Sequence, residues 1–150
     1  MVFGWPILSV GDLEGIMSSK LSGHWPGRKF QLWFYTPSHS LLLLRSAKNQ
    51  VNPTRVDIVF SGVEAFECRT LDLVDLQITE VPIQELADRA TNVLDKKSPS
   101  LKGYILTCNG SAGYVAAMSF TTKEDTRDQS APSSINMNLD ISVTSALFRL

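Results

Sequence analysis

Cys108 paired with His24 or His39 is the combination in this chain whose residue types fit nucleophilic catalysis. A thiol attacks as its thiolate and needs a neighbouring base or positive charge to reach that form. The surrounding TCNGSAGY carries no nucleophile signature, and a cysteine inside an apolar, strand-like run more simply reads as a half-buried thiol. Cys108 and His39 are the catalytic candidates of one reading, in which the chain is a small-ligand binder or hydrolase with its pocket in the concavity of a sheet. The glycines of the same segment fit neither a P-loop nor a dinucleotide fingerprint, because the spacing is wrong and the next block reads as strand instead of helix.

Metal and cofactor chemistry find no support in spacing. Two histidines fifteen residues apart, with no Cys-x-x-Cys, offer no ligand set, so neither a metal nor a cofactor is expected. Asp57, Glu64 and Glu67 could be assembled into an acid–base pair, but fifteen acidic side chains always permit such choices. Together with Asp72 and Asp75 they alternate like solvent-facing strand positions. Trp33, Tyr35 and Trp25 point instead to binding, since aromatic residues carry much of the energy of protein contacts, and Arg45 could anchor a carboxylate partner.

Composition bounds the classes that remain. The chain has 150 residues, 43% hydrophobic and 19% charged, which suits a single globular domain able to bury its own core. Fourteen basic against fifteen acidic residues create no field that would draw it onto nucleic acid or an anionic bilayer. The apolar start lacks a basic leader and is broken by Pro6, so no signal peptide is expected. No run approaches the roughly 18 apolar residues of a membrane-spanning helix. Cys68 and Cys108 are expected to be reduced thiols in the cytoplasm, although a disulfide is possible if their strands are neighbours.

The elements that must position these residues are mostly strands. KFQLWFYT alternates Phe30, Leu32 and Phe34 against Gln31, Trp33 and Tyr35, which predicts a strand with two substantial faces. SHSLLLLRS, TRVDIVFSG, VEAFECRT and LDLVDLQITE continue the sheet, with a break expected between 69 and 72. LKGYILTC and GYVAAMSF form a hairpin about Asn109-Gly110, because Asn-Gly tolerates the positive φ of tight turns. Residues 121–134 contain no large apolar side chain and read as a mobile polar loop, after which INMNLDIS alternates strictly as a last, half-exposed strand.

Two helices are expected. Ile83, Leu86, Ala87, Ala90, Val93 and Leu94 mark one face of an amphipathic helix over 82–96, with Pro82 in its first turn, and Leu13, Ile16, Met17 and Leu21 suggest a shorter one over 12–21. The expected fold is therefore α+β: a mainly antiparallel curved sheet, partly closed barrel or sandwich of six to eight strands, with the 82–96 helix packed upon it.

The segment VDIVFSGVEAFECRT resembles the paired core strands of small bacterial β-rich domains, a likeness that carries no functional position. The leading expectation is a non-enzymatic binding module acting through a sheet face or edge strand on a protein partner or on itself, with a bacterial immunity or adaptor protein as one form of it.

Overall fold

The computed structural model describes residues 19–86 and 100–135. Among them the chain forms two antiparallel five-stranded sheets. Sheet A has the order β1 (Lys20–His24), β7 (Gln77–Pro82), β8 (Lys102–Thr107), β9 (Ser111–Ala117) and β5 (Ala65–Cys68). Sheet B has the order β10 (Ser119–Asp125), β4 (Arg55–Ser61), β3 (Leu41–Ser46), β2 (Lys29–Thr36) and β6 (Asp72–Val74).

Alternation explains why the sheets face each other. Phe30, Leu42, Leu44, Ile58 and Phe60 of sheet B meet Ile78, Tyr104, Leu106 and Val115 of sheet A in one buried cluster. Phe60 and Phe120 of sheet B and Tyr104 of sheet A stand 5.3–5.5 Å apart, the edge and tilted geometry that aromatic quadrupoles favour. Burial pushes the Tyr104 hydroxyl up to about 12, with the charge of Glu80 adding to the effect. Both sheets also bury part of their outer faces, since Leu41, Leu43, Val59 and Phe34 form a second cluster outside sheet B. Leu86, Leu101, Tyr114 and Ala116 form a third on sheet A.

Several expectations are corrected. Among the described residues the fold is mostly antiparallel β instead of α+β, its ten strands exceed the six to eight expected, and no barrel closes. Pro82 ends strand β7, paired with Lys102, and Ile83–Leu86 make a single 3-10 turn where the 82–96 helix was expected to begin; 87–96 lie outside the described residues. The i, i+3 apolar spacing is satisfied by that one turn, which drops Leu86 into the space above Gly103 on the outer face of sheet A. Of the expected 12–21 helix, Lys20 and Leu21 belong to β1, where pairing with β7 claims their backbone groups; 12–18 lie outside the described residues. Within the segment read as a polar loop, Thr121–Asp125 continue β10. The final alternating strand lies outside the described residues beyond Ile135.

The strand with two substantial faces holds a further correction. Against β3, Leu32 pairs with Leu44 and Phe34 with Leu43, so Trp33 is an extra residue, a β-bulge. A one-residue insertion reverses the phase of everything beyond it. Phe30 and Tyr35 thus point into the inter-sheet core, whereas Phe34 faces outward with Leu43.

Candidate functional site

On the outer face of sheet B a polar row crosses all five strands, from Lys123 through Asp57, Arg45 and Gln31 to Asp72. Its centre is a fully buried fork: Arg45 donates from Nε to Asp57 Oδ1 at 2.7 Å and from Nη2 to Oδ2 at 3.0 Å, with both side chains 1% exposed. At the end of the row Gln31 donates to Asp72 at 3.3 Å. One register step from the Asp57 pair, Arg55 makes a second fork onto Asp125, at 3.1 and 2.9 Å, and lies 3.9 Å from Asp57. Two arginines and two aspartates alternate and balance in charge, the condition under which buried ions are tolerated. Burial would raise the Asp125 carboxyl, but bonds from Arg55, Ser134 and the Arg127 N–H, with the Arg55 charge, hold it well below the usual carboxylate range.

The remaining guanidinium donors grip the chain that follows β10. Arg45 Nη1 donates to the carbonyls of Gln129 and Ala131 at 2.6 and 3.2 Å. Arg55 donates to those of Asp128, Ala131 and Pro132 at 2.9, 2.7 and 3.0 Å. Because the acceptors are carbonyls, the grip depends on backbone path and not on side-chain identity. Its effect is to fasten the Asp125 end of β10 and the strap after it onto β3 and β4. On the inner side Arg28 does similar work, donating to Thr54 O at 3.0 Å and lying 3.5 Å from Glu124 of β10, which also accepts from the Thr54 hydroxyl.

The expected binding residues divide: Trp33 and Arg45 are brought together on the outer face of sheet B, whereas Tyr35 and Trp25 pack against the inter-sheet core. Trp33 lies on the outer side with its ring 5.0 Å from the Arg45 guanidinium, a cation–π arrangement. Arg45 is 2% exposed, its donors turned inward. Tyr35 sits in the inter-sheet core, edge-on to Phe66 at 5.1 Å. Trp25 follows β1 and packs edge-on against Phe30 at 5.4 Å, where it fills the space that a Cβ on Gly23 would need.

The catalytic candidates separate too. Cys108 lies just beyond β8 at the His24 end of sheet A, its N–H donating to Gly110 O at 2.8 Å. His39 lies in the β2–β3 turn, with Ser38 Oγ 3.0 Å from its Nδ1, at the far end of β2, a strand length on the order of 20 Å. His24 is the nearer histidine: it acts on Asp75, which in turn acts on Cys108. Asp75 accepts from the Gly27 N–H at 2.6 Å and from Asn109 Nδ2 at 3.3 Å, bonds that hold its carboxyl low and join three loops at this end of the sandwich. Burial pushes the Cys108 thiol up, and Cys68 and Asp75 push it further, the opposite of what a nucleophile requires. Cys68 is raised by burial and by Glu67. Cys68 pairs with β9, and β9 lies between β5 and β8, so the two thiols stand on either side of an intervening strand and both are free. Among the described residues no group of three His, Cys, Asp or Glu could hold a metal ion.

Sequence reasoning missed the partners that matter most here. Asp57 alternates with apolar neighbours as an exposed residue would, yet it is 1% exposed because Arg45 and the strap cover it. Arg55 is 0% exposed and Asp125 stood inside an expected loop. The available signal was charge at same-face positions: Arg55 and Asp57 are two apart on one strand, and Thr121 and Thr122 supply β-branched residues in the supposed loop.

Among the described residues the network leaves β10 as an edge strand, paired with β4 over seven residues from Ser119 to Asp125 with no irregularity in register. Its side chains from Thr121 to Glu124 are all exposed. The chain matches no protein family, no curated protein and no solved structure, so its site is defined by its own geometry.

Proposed function

We propose that this chain is a non-enzymatic binding module that engages a protein partner by strand addition to β10. The observation that carries this reading is the contrast among the four described edge strands. β1 has a bulge between Leu21 and Gly23, β5 has four residues and β6 has three. Bulging and shortening are the devices that keep a sheet edge from pairing with another chain. β10 has seven residues, no bulge, no proline and no glycine. Its alternate backbone groups turn away from β4, and those are the groups that main-chain recognition uses. The arginine forks fasten one end, so the edge is held in extended form before a partner arrives, which lowers the entropy lost on binding.

An immunity or adaptor protein is one biological form of this reading, and two free thiols accord with a reducing cytoplasmic setting. The alternative of a hydrolase loses support from the separation of Cys108 and His39 and from the raised thiol. Among the described residues no helix is long and apolar enough to cross a membrane.

The test is amide hydrogen exchange on a complex with a partner captured by the full chain. Outward-facing amides of β10 should become protected on binding, in alternation with amides already protected by β4. Unchanged exchange throughout Ser119–Asp125 in the complex would refute strand addition.

A further inference from the structure

The β10 edge can be asked which extended strand it fits, and its own sequence supplies an answer. In an antiparallel pair related by a two-fold axis perpendicular to the sheet, side chains opposite each other share a face, so permitted registers differ in steps of two. With the axis on Thr122, all seven residues pair: Thr122 meets Thr122 of the second copy, Thr121 meets Lys123, Phe120 meets Glu124 and Ser119 meets Asp125. No like charges lie directly opposite. An axis on Lys123 sets lysine against lysine, and an axis on Glu124 sets glutamate against glutamate; each also shortens the ladder, because Ser119–Asp125 is centred on Thr122. The strand's length and charge pattern thus select one self-complementary register.

We infer that the partner of β10 is a second copy of this chain, the two strands pairing antiparallel about Thr122 to make one continuous ten-stranded sheet from two copies of sheet B. This rests on the edge reading above. Three features of the strand converge on it. The edge is flat enough in register to pair along its whole length. Its Asp125 end is clamped by Arg55 and its Glu124 side chain is held by Arg28 and Thr54, so the strand reaches the partner already ordered. The central residue of the ladder is an exposed threonine, a β-branched side chain that pairs well with itself across a strand. A strand-to-strand contact without a broad apolar surface is small, so association should be weak and depend on concentration.

The experiment uses sedimentation of the full chain across about 10 μM to about 1 mM, the range in which a weak contact forms. The mean mass should rise from 16.6 kDa toward twice that value. Thr122→Lys sets two ammonium groups against each other at the axis, on an exposed position that leaves the fold intact, and should raise the dissociation constant at least about tenfold.

A second variant tests the register directly. Residues facing across an antiparallel ladder have Cα atoms about 4.5–5.5 Å apart, within disulfide range. Thr122→Cys treated with oxidised glutathione should therefore yield a covalent dimer, two protein thiols being oxidised to a disulfide as one oxidised glutathione is reduced to two thiols. Ser119→Cys, whose symmetry mate would stand six residues along the strand, roughly 20 Å away, should not. Cys68 and Cys108 are present in both variants and set the background.

A chain that remains a monomer throughout, a dimer indifferent to Thr122→Lys, or equal cross-linking at 119 and 122 would each overturn the inference. The edge reading itself fails separately, on unprotected β10 amides in a partner complex.

Discussion

Replacing Asp57 with asparagine should strongly destabilise this protein although the exchange is nearly equal in shape. Asp57 accepts two bonds from Arg45, at 2.7 and 3.0 Å, with both side chains 1% exposed, and its second oxygen lies 3.9 Å from Arg55. Asparagine keeps the volume but removes the negative charge, leaving the buried Arg45 guanidinium without the carboxylate it forks onto while Arg55 keeps Asp125. Breaking a buried pair from one side costs about 3–5 kcal/mol, because the surviving charge stays desolvated. In a domain of this size each kcal/mol moves the melting temperature by roughly 2–4 °C, so the expected fall is about 10 °C. Urea unfolding followed by tryptophan fluorescence suits the purpose, since Trp33 lies against Arg45. The double variant Arg45→Met/Asp57→Leu should lose much less than the two single variants together, because it removes both ions at once. It still forfeits the Arg45 bonds to Gln129 and Ala131. An Asp57→Asn protein within about 0.5 kcal/mol of wild type, or additive single variants, would refute the account of a buried and mutually dependent network.

Asp125 gives a pH dependence of defined sign. Its folded-state carboxyl is held well below the usual range, so the stability it contributes is present above the unfolded value near 4 and is lost progressively as pH falls below that. Urea midpoints measured from neutral pH down to about 2.5 should fall steeply at the acid end for wild type and less steeply for Asp125→Asn; superimposable acid limbs would contradict the assignment. Glycine positions offer a structural check: Gly113→Ala would drive a Cβ into the Glu67 carbonyl oxygen, and Gly27→Ala, at φ +76°, meets nothing within 4 Å. Chemical denaturation should show a loss of about 3 kcal/mol for the first and about 1 kcal/mol for the second, and equal losses would mean that β5 and β9 are not so closely paired.

Strand content was legible because each strand keeps its period in its own residues. β3 needed only its short apolar run, β4 its alternation and the Asn109-Gly110 hairpin its turn chemistry. The turn at Ile83–Leu86 was not legible as such, since an apolar i, i+3 pair is compatible with an α-helix, and the space over Gly103 that receives Leu86 exists only once β8 and β9 are assembled. β10 was obscured for the opposite reason. Edge strands bury little, so Thr121–Asp125 carry almost no apolar signal to mark them.

The candidate site divides along the same line. The separation of Cys108 from His39 follows from their positions in different sheets and at opposite ends of the strands, one beyond β8 and the other in the β2–β3 turn, which no spacing along the chain reports. Trp33 and Tyr35 alternate correctly with each other, but the bulge at Trp33 is set by pairing with β3 and sends Tyr35 to the core.

By itself the sequence determined that this protein is a chain of short, mainly antiparallel strands with a balanced charge, because side-chain periodicity and turn preference are properties of neighbouring residues. Only the tertiary structure decided that Arg45, Arg55, Asp57 and Asp125 meet in one buried network and that β10 is an edge strand among the described residues. These depend on which strands become neighbours, and pairing between residues as distant as Arg55 and Asp125 is chosen by the whole assembly of sheets, where burial turns ordinary surface charges into groups that must find one another.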